Sequence, residues 1–194
     1  LEARECEAQA YHGRVARDDA SDSTVELGCG IGWRTQVNLA ATRVREAGVG
    51  GNAWSLAGKT ALFGHGGEGL ALTLSYGAAR LRAGGQSETA TWITGIATWP
   101  LADKVALHTN LGWQRDSASR LSSTFVGAGV EMGAAEHLDA TAEVFHVDRD
   151  AGPWLQLGLR YALLPERWNL NASVARQAAS GHAVRWTLGT LLRF

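Results

Sequence analysis

The feature that most constrains the fold of this chain is a two-residue alternation of apolar and polar side chains. It recurs along the chain in stretches of about ten residues, separated by turn signals. The clearest is KVALHTNLGWQ, in which Val105, Leu107 and Trp113 alternate with His108 and Asn110. Similar stretches are WLQLGLRYAL, GLALTLSYGA and WNLNASVARQ. Because successive side chains of a strand point to opposite faces, each stretch is predicted to be a strand with one apolar face.

The alternation predicts about twelve strands, and an even number is typical of single-chain bacterial barrels. No helical periodicity extends beyond a turn or two. The predicted strands cover residues 3–15, 23–32, 34–45, 52–63, 68–82, 88–99, 103–115, 121–133, 137–148, 153–164, 167–177 and 182–194.

Two kinds of connection alternate between these strands, as expected for an up-and-down meander that crosses a membrane. One kind is compact, such as PLADK and LPERW, and the other is rich in charge, such as RVARDDASD and HVDRDAG. The tryptophans fall near both ends of the strands, as interfacial aromatic belts do. Those near the compact turns are Trp33, Trp99 and Trp168, and those near the charged connections are Trp54, Trp113, Trp154 and Trp186.

These patterns predict one all-β domain over residues 1–194, a transmembrane antiparallel β-barrel with short loops. An open sheet would leave unpaired backbone groups in hydrocarbon, so the sheet must close, with its apolar face toward lipid. A soluble barrel of the lipocalin type also alternates, but with the apolar face inward. Strands of ten or more residues and only 3 prolines favour the membrane barrel.

Composition excludes several other classes of protein. No run approaches the roughly 18 apolar residues of a spanning helix. The net charge of −1 gives no electrostatic footprint for a nucleic acid. The chain starts at a leucine without a signal peptide, so we expect a mature or trimmed chain whose targeting segment has been removed.

The last strand, HAVRWTLGTLLRF, ends in Phe194 and resembles the C-terminal signature of Gram-negative outer-membrane β-barrel proteins. The resemblance implies an integral outer-membrane protein with both termini in the periplasm. It also implies that Phe194 is part of the signal read by the barrel-assembly machinery. Leu188 and Leu192 would face lipid. The turns PLADKVAL and LPERWNL resemble those of small outer-membrane transporters of the kind described near aromatic-degradation pathways.

The two cysteines, Cys6 and Cys29, fall opposite each other if the first hairpin turns near Arg17 and Asp18. Cross-strand neighbours are close to disulfide range, and the periplasm is oxidising. We therefore expect a bridge near the periplasmic end of the hairpin. The alternative is a pair of small unpaired residues on the lipid face.

The polar faces supply the candidate lumen, which either selects solutes or is packed with mutually paired charges. Twelve strands lie between the filled eight-stranded barrel and the open channel of sixteen. Inward glycines, including Gly77, Gly112 and Gly158, favour some free space. The predicted lumen-lining residues are Glu26, Gln36, Asn38, Lys59, His108, Asn110, Glu131, Asp139, Glu143, Arg160, Asn171 and Arg185.

Arginines concentrate at the charged rim, and their forked donors suit phosphate groups such as those of lipopolysaccharide. Attraction of an anionic solute to the mouth, or a solvated rim paired with aspartates, would use the same residues. The predicted lipopolysaccharide contacts are Arg43, Arg45, Arg80, Arg82, Arg115, Arg120 and Arg149, and Arg14, Arg17 and Arg176 share this rim.

Catalysis has little support in the sequence. A lipid-modifying enzyme needs a Ser–His pair at the outer edge, and only Ser180 and His182 are close in sequence. The segment GHGGEG lacks the Lys-Ser/Thr of a phosphate loop, and no spacing suggests a zinc site. We predict no catalytic residue, cofactor or metal.

The preferred function is a channel that passes small solutes passively through a narrow polar lumen. The alternatives are a structural or assembly component of a larger envelope complex and a lipid-modifying enzyme. The expected partners are outer-membrane lipids and lipopolysaccharide, the assembly machinery, a small solute and other envelope proteins.

Overall fold

A computed structural model describes residues 4–16, 19–64, 69–178 and 183–194 and shows a closed antiparallel barrel of twelve strands. Each strand pairs with its neighbour in sequence, and β1 pairs with β12. The strands are β1 Cys6–Ala16, β2 Ala20–Gly32, β3 Thr35–Glu46, β4 Val49–Phe63, β5 Ala71–Ala83, β6 Gln86–Ala102, β7 Val105–Asp116, β8 Ser122–Ala135, β9 Leu138–Val147, β10 Trp154–Leu164, β11 Trp168–Gln177 and β12 Val184–Arg193. The predicted fold and strand number are confirmed, and the predicted ends differ by about three residues at most.

The polarity of the barrel is the reverse of that of a soluble protein. Leu155, Leu157 and Leu159 of β10 are 56%, 63% and 52% exposed, and they share the outward face. Among the described residues, only Ala40 and Ala175 are buried hydrophobic side chains, while Glu7 and Asn169 are buried polar ones. The apolar side chains therefore lack a core and need lipid around the barrel, which excludes the soluble alternative.

The first and last strands meet at a well-bonded seam. The amide of Cys6 donates to the carbonyl of Phe194, and the amide of Phe194 donates to the carbonyl of Cys6, both at 2.9 Å. Cys6 also pairs with Cys29 across the first hairpin and forms the predicted disulfide, with 4.1 Å between the Cα atoms. The disulfide lies on the outward face, which Cys29 shares with Val25 and Leu27 of β2.

The compact-turn end is the irregular end of the barrel. Register shifts occur there in the pairings of β2 with β3, β4 with β5, β6 with β7, β8 with β9 and β10 with β11. Such bulges are common at barrel rims, where they bend strands into their turns. The bulge at Pro100 also accommodates a residue that lacks the amide donor of a regular ladder.

The tryptophans follow the predicted belts with one exception. Trp54, Trp113, Trp168 and Trp186 are outward and exposed. Trp154 lies at the charged end, as predicted, but it faces the lumen rather than lipid because Leu155 takes the outward position. No helix among the described residues is long and apolar enough to cross a membrane.

Candidate functional site: the barrel lumen

The inward face of each strand alternates with the exposed leucine rows and forms the wall of the lumen. The structure places every predicted lumen residue on this face. They are distributed over the wall as Glu26 on β2, Gln36 and Asn38 on β3, Lys59 on β4, His108 and Asn110 on β7, Glu131 on β8, Asp139 and Glu143 on β9, Arg160 on β10, Asn171 on β11 and Arg185 on β12.

Three inward arginines form ion pairs along the wall. Arg185 of β12 contacts Asp22 of β2 at 2.7 Å, passing over Gly13 of the intervening β1. Arg160 of β10 contacts Glu131 of β8 at 3.1 Å. These pairs join strands that are not hydrogen-bonded to each other, so they brace the wall. The arginine side chains lie against the wall rather than extending across the lumen.

The third pair and one further contact instead join neighbouring, hydrogen-bonded strands. Arg193 contacts Glu7 at 3.5 Å, and Arg160 also approaches Asp139 at 3.9 Å. The packed-lumen hypothesis therefore describes the arginines well.

The inward glycines do not leave the empty space that was expected of them. A Cβ at Gly129 would lie 2.6 Å from Cγ of Glu143, and one at Gly77 would collide with the ring of Trp92. Each of these glycines makes room for a larger side chain from the neighbouring strand. The glycines thus allow these larger side chains to lie over the wall.

Acidic side chains exceed basic ones on the inward face. The acids of the inward face are Glu7, Asp22, Glu26, Glu46, Glu88, Asp116, Glu131, Asp139 and Glu143, and the bases are Lys59, Arg160, Arg185 and Arg193. The arginines are taken up by the ion pairs. Glu26 instead accepts from the amide of Asn38, and Glu143 from that of Gln156 at 3.5 Å. The lumen therefore carries a net negative charge.

Free space is present within the wall lining. A cavity of about 270 Å³ is lined by β6 to β9 and includes His108, Phe125 and Glu143. A second cavity of about 300 Å³ reaches from β8 round to β1 and includes Tyr11 and Arg160. Glu131, Thr141 and Glu143 line both cavities, so the two adjoin.

A stack of inward aromatic rings lies at the charged end, next to the first cavity. The ring centroids of Phe125 and Phe145 are 6.3 Å apart, and those of Phe145 and Trp154 are also 6.3 Å apart, with an interplanar angle of 6°. The indole nitrogen of Trp154 donates to Asp150 at 3.2 Å. Glu143 is the next inward residue of β9 below Phe145, so carboxylates follow the stack toward the barrel centre.

Sequence reasoning missed this stack and the inward Trp92. Each of these rings alternates with an outward aliphatic residue, as Phe125 does with Val126 and Phe145 with Val144. The position of each ring in the alternating pattern therefore predicts an inward side chain. The rings were missed because aromatic residues were assumed to belong to the lipid face.

Several rim arginines point outward rather than into the mouth. Arg43 and Arg82 lie in one row with Asn52 between them, and Arg80 pairs with Trp54. Arg45 and Arg115 share this outward face. The arginine of position 149 differs, because it donates twice to the carbonyl of Ser122, at 2.9 and 2.7 Å, and braces a loop. Arg120 occupies a left-handed turn with φ 56°, and Arg17 lies outside the described residues.

Asp116, the last residue of β7, carries a stable charge at the aqueous mouth. Its carboxylate accepts hydrogen bonds from the amides of Ser119 and Ala118, at 2.9 and 2.7 Å, and from the Ser119 hydroxyl. These bonds, led by that of the Ser119 amide, hold the pKa of Asp116 below its usual value. This carboxylate therefore adds a persistent negative charge beside the lumen entrance.

A Ser–His pair occurs at a place other than the one considered in the sequence. Ser180 and His182 lie outside the described residues. His12 and Ser23, opposite each other in the first hairpin, bring Nδ1 and Oγ to 2.9 Å on the outward face. The His12 ring packs against Trp186 at 5.4 Å. In the part of the chain that the structure describes, no His, Cys, Asp or Glu cluster is arranged to hold a metal ion.

Solved outer-membrane barrels share this architecture. The KdgM porin, in complex with disordered oligogalacturonate, aligns with a TM-score of 0.72 at 7% identity, covering 97% of this chain and 99% of that chain. The NanC porin gives 0.66 at 8% identity, with 95% and 98% covered. The translocator domain of the autotransporter NalP from Neisseria meningitidis gives 0.64 at 16% identity, with 98% and 88% covered.

At these identities the likeness is one of fold, and it confirms the resemblance to outer-membrane β-barrel proteins. The relation to transporters near aromatic-degradation pathways stays a prediction. No curated protein matches the sequence. One sequence family, described as Uncharacterised conserved protein UCP029691, matches residues 2–194.

Proposed function

The chain belongs to the UCP029691 family, and we propose that this member is an outer-membrane channel that passes small solutes passively. The observation that carries the proposal is the pair of adjoining cavities along a polar lumen, inside a barrel whose outer face is apolar. A barrel of this size is wider than one that side chains fill completely.

The charge of the lumen restricts the solutes that suit it. The KdgM porin was solved with oligogalacturonate, whose sugar units are acids. The inward face of this chain carries more carboxylates than arginines, and its arginines are already paired. An acidic oligosaccharide would therefore be repelled, so the solute of this channel differs from that ligand.

Conductance tests the channel directly. In planar bilayers we expect discrete conductance steps, smaller than those of wide porins because the lumen is narrow. Trp92→Ala should raise the step size, because the indole occupies the inward face over Gly77. Trp54→Ala is the matched control, because that ring is 62% exposed on the outward face and should leave conductance unchanged. A wild-type barrel that inserts but insulates would contradict the proposal.

The outward arginines are proposed to bind phosphates of lipopolysaccharide. Arg43, Arg45, Arg80 and Arg82 lie on neighbouring strands at one end of the outward face. The outward residues between and beside them are Ser, Gly, Asn, Thr and Trp. Among the described residues, the hydrogen-bond partner of the Arg80 side chain is Ser87, at 2.9 Å. Guanidinium groups without carboxylate partners at a membrane interface suit bidentate phosphate binding.

This patch also sets the proposed orientation. The charged connections would face the outside, where lipopolysaccharide lies. The compact turns and both termini would face the periplasm, where Phe194 is available to the assembly machinery. Short turns on the periplasmic side are usual in such barrels.

Binding of lipid A by the purified protein in detergent tests the patch. Replacing all of Arg43, Arg45, Arg80 and Arg82 by alanine should weaken binding by at least roughly tenfold, because each lost charged hydrogen bond is worth about 1.5–3 kcal/mol. Arg34→Ala and Arg167→Ala, in exposed turns at the opposite end, are the matched controls. Equal binding of lipid A and its dephosphorylated form would refute phosphate recognition.

The same purified protein also tests the two alternative functions. A structural component of an envelope complex would insulate and would co-purify with a stable partner. A lipid-modifying enzyme would change the lipids of the preparation in a way that Ser23→Ala abolishes, since Ser23 and His12 are paired at the outer surface. None of the described carboxylates bonds to His12, so this pair lacks the third group of a catalytic triad, and we favour the channel.

A further inference from the structure

We infer that the lumen selects cations, and that its substrates are small organic cations carrying an apolar or aromatic group. The inference rests on the proposed channel function and names the solute class for the same lumen. Two independent features of the wall carry it, the uncompensated carboxylates and the aromatic stack.

The first feature is the fixed charge that remains after the ion pairs have formed. The arginines of the wall are bound to Asp22, Glu131 and Glu7. Among the described residues, Glu26 and Glu143 form no ion pair, and their hydrogen-bond partners are the neutral amides of Asn38 and Gln156. In a narrow bore with low-dielectric walls such charges concentrate cations and exclude anions.

The second feature is an apolar surface in an otherwise polar lumen. The rings of Phe145 and Trp154 stack with an interplanar angle of 6°, and Phe125 of the neighbouring strand contacts Phe145 at a tilt of 39° on the same inward face. Aromatic rings exposed to water lose favourable contacts that an apolar solute would restore. An inorganic ion has no apolar group that could pack against these rings.

The two features meet in one cavity. The cavity of about 270 Å³ has Phe125 and Phe145 on its wall together with Glu131 and Glu143. Its size is near the lower end of small-molecule sites, as suits a solute of one ring or a few carbons. The ring faces attract a cation by the cation–π interaction, and the carboxylates below attract it by charge.

The order of the aromatic rings and the carboxylates along the lumen agrees with entry of the solute from the charged end of the barrel. The stack belongs to the mouth, where β10 begins at Trp154. Glu143 comes next, then Glu131 and Thr141, which pair across β8 and β9. A solute moving inward would therefore meet the apolar surface first and the carboxylates next.

The zero-current potential of the wild-type protein in a tenfold KCl gradient decides the charge selectivity. We expect K⁺ to permeate several-fold better than Cl⁻. Glu26→Gln combined with Glu143→Gln should lower this ratio severalfold. Glu136→Gln, in an exposed turn at the compact end, is the matched control and should leave it unchanged. A channel that conducts with a preference for Cl⁻ overturns the inference, whereas an insulating barrel overturns the proposed function instead.

The solute class is tested by adding tetramethylammonium or benzyltrimethylammonium during KCl conduction. We expect the benzyl compound to occupy the lumen longer and to interrupt the K⁺ current at several-fold lower concentration. Phe145→Leu should remove this difference while leaving the K⁺ over Cl⁻ ratio intact. Phe63→Leu is the matched control, because that ring is 61% exposed at the compact end. Equal interruption by the two compounds in the wild-type protein would overturn the aromatic part of the inference.

Discussion

Arginine in place of Leu157 is expected to destabilise the barrel by about 2–4 kcal/mol, the usual cost of a cation at the middle of the lipid face of such barrels. Leu157 lies in the middle of β10, is 63% exposed, and pairs with Ala142 and Val174 on the same outward face. An arginine there has no carboxylate partner in its row and would have to carry its charge into hydrocarbon.

The same substitution one residue earlier is the matched control. Gln156 is on the inward face and reaches Glu143 at 3.5 Å, so an arginine there would meet water and a carboxylate. Urea unfolding in lipid vesicles, followed by tryptophan fluorescence, would compare the two variants. We expect Gln156→Arg to stay within about 0.5 kcal/mol of the wild-type protein. Equal losses at positions 156 and 157 would contradict the assignment of outward and inward faces.

Valine in place of Gly77 is expected to lower the free energy of unfolding by about 1–3 kcal/mol, as overpacking does. A Cβ at this position would collide with the ring of Trp92 and lie 2.8 Å from the carbonyl oxygen of Leu56. That carbonyl belongs to the backbone of the paired strand β4, so a movement of the indole alone would not relieve the crowding. The same unfolding measurement applies.

Two further variants separate this collision from a general intolerance of side chains at strand glycines. Gly95→Val on the adjacent strand should be neutral, because the nearest atom to its Cβ would be 3.9 Å away. Trp92→Ala should recover part of the loss in the Gly77→Val background, and the double-mutant cycle would give the coupling. Recovery is expected to be partial because the contact with the Leu56 carbonyl remains. Independent effects of the two substitutions would show that the ring does not rest on Gly77.

Much of the fold could be predicted from the sequence because lipid-facing and lumen-facing residues alternate along the strands of a membrane barrel. The alternation in KVALHTNLGWQ sets which side of β7 meets lipid, and the same period gives β10 and β12 their exposed leucines. The pairing of Cys6 with Cys29 followed from the expected hairpin register alone, and the pairing of β1 with β2 confirms it.

The details of the lumen were less accessible because they depend on contacts between neighbouring strands. Trp154 and Leu155 are both plausible lipid-facing residues, and only the register of β10 against β9 decides between them. The glycines of the wall are visible in the sequence, but the rings and carboxylates that lie over them come from other strands. His12 and Ser23 likewise meet through the pairing of β1 with β2. Residue type alone does not reveal such partners.

The seam between β1 and β12 has a consequence for how the barrel assembles. The backbone hydrogen bonds that close the barrel join Cys6 to Phe194. One edge of β1, the first strand, therefore stays unpaired until β12, the last strand, is in place. A sheet that has not yet closed therefore exposes two strand edges with unpaired backbone N–H and C=O groups. The disulfide to Cys29 holds β1 beside β2 during that interval. The unpaired edge therefore belongs to a covalently linked hairpin and not to a single free strand.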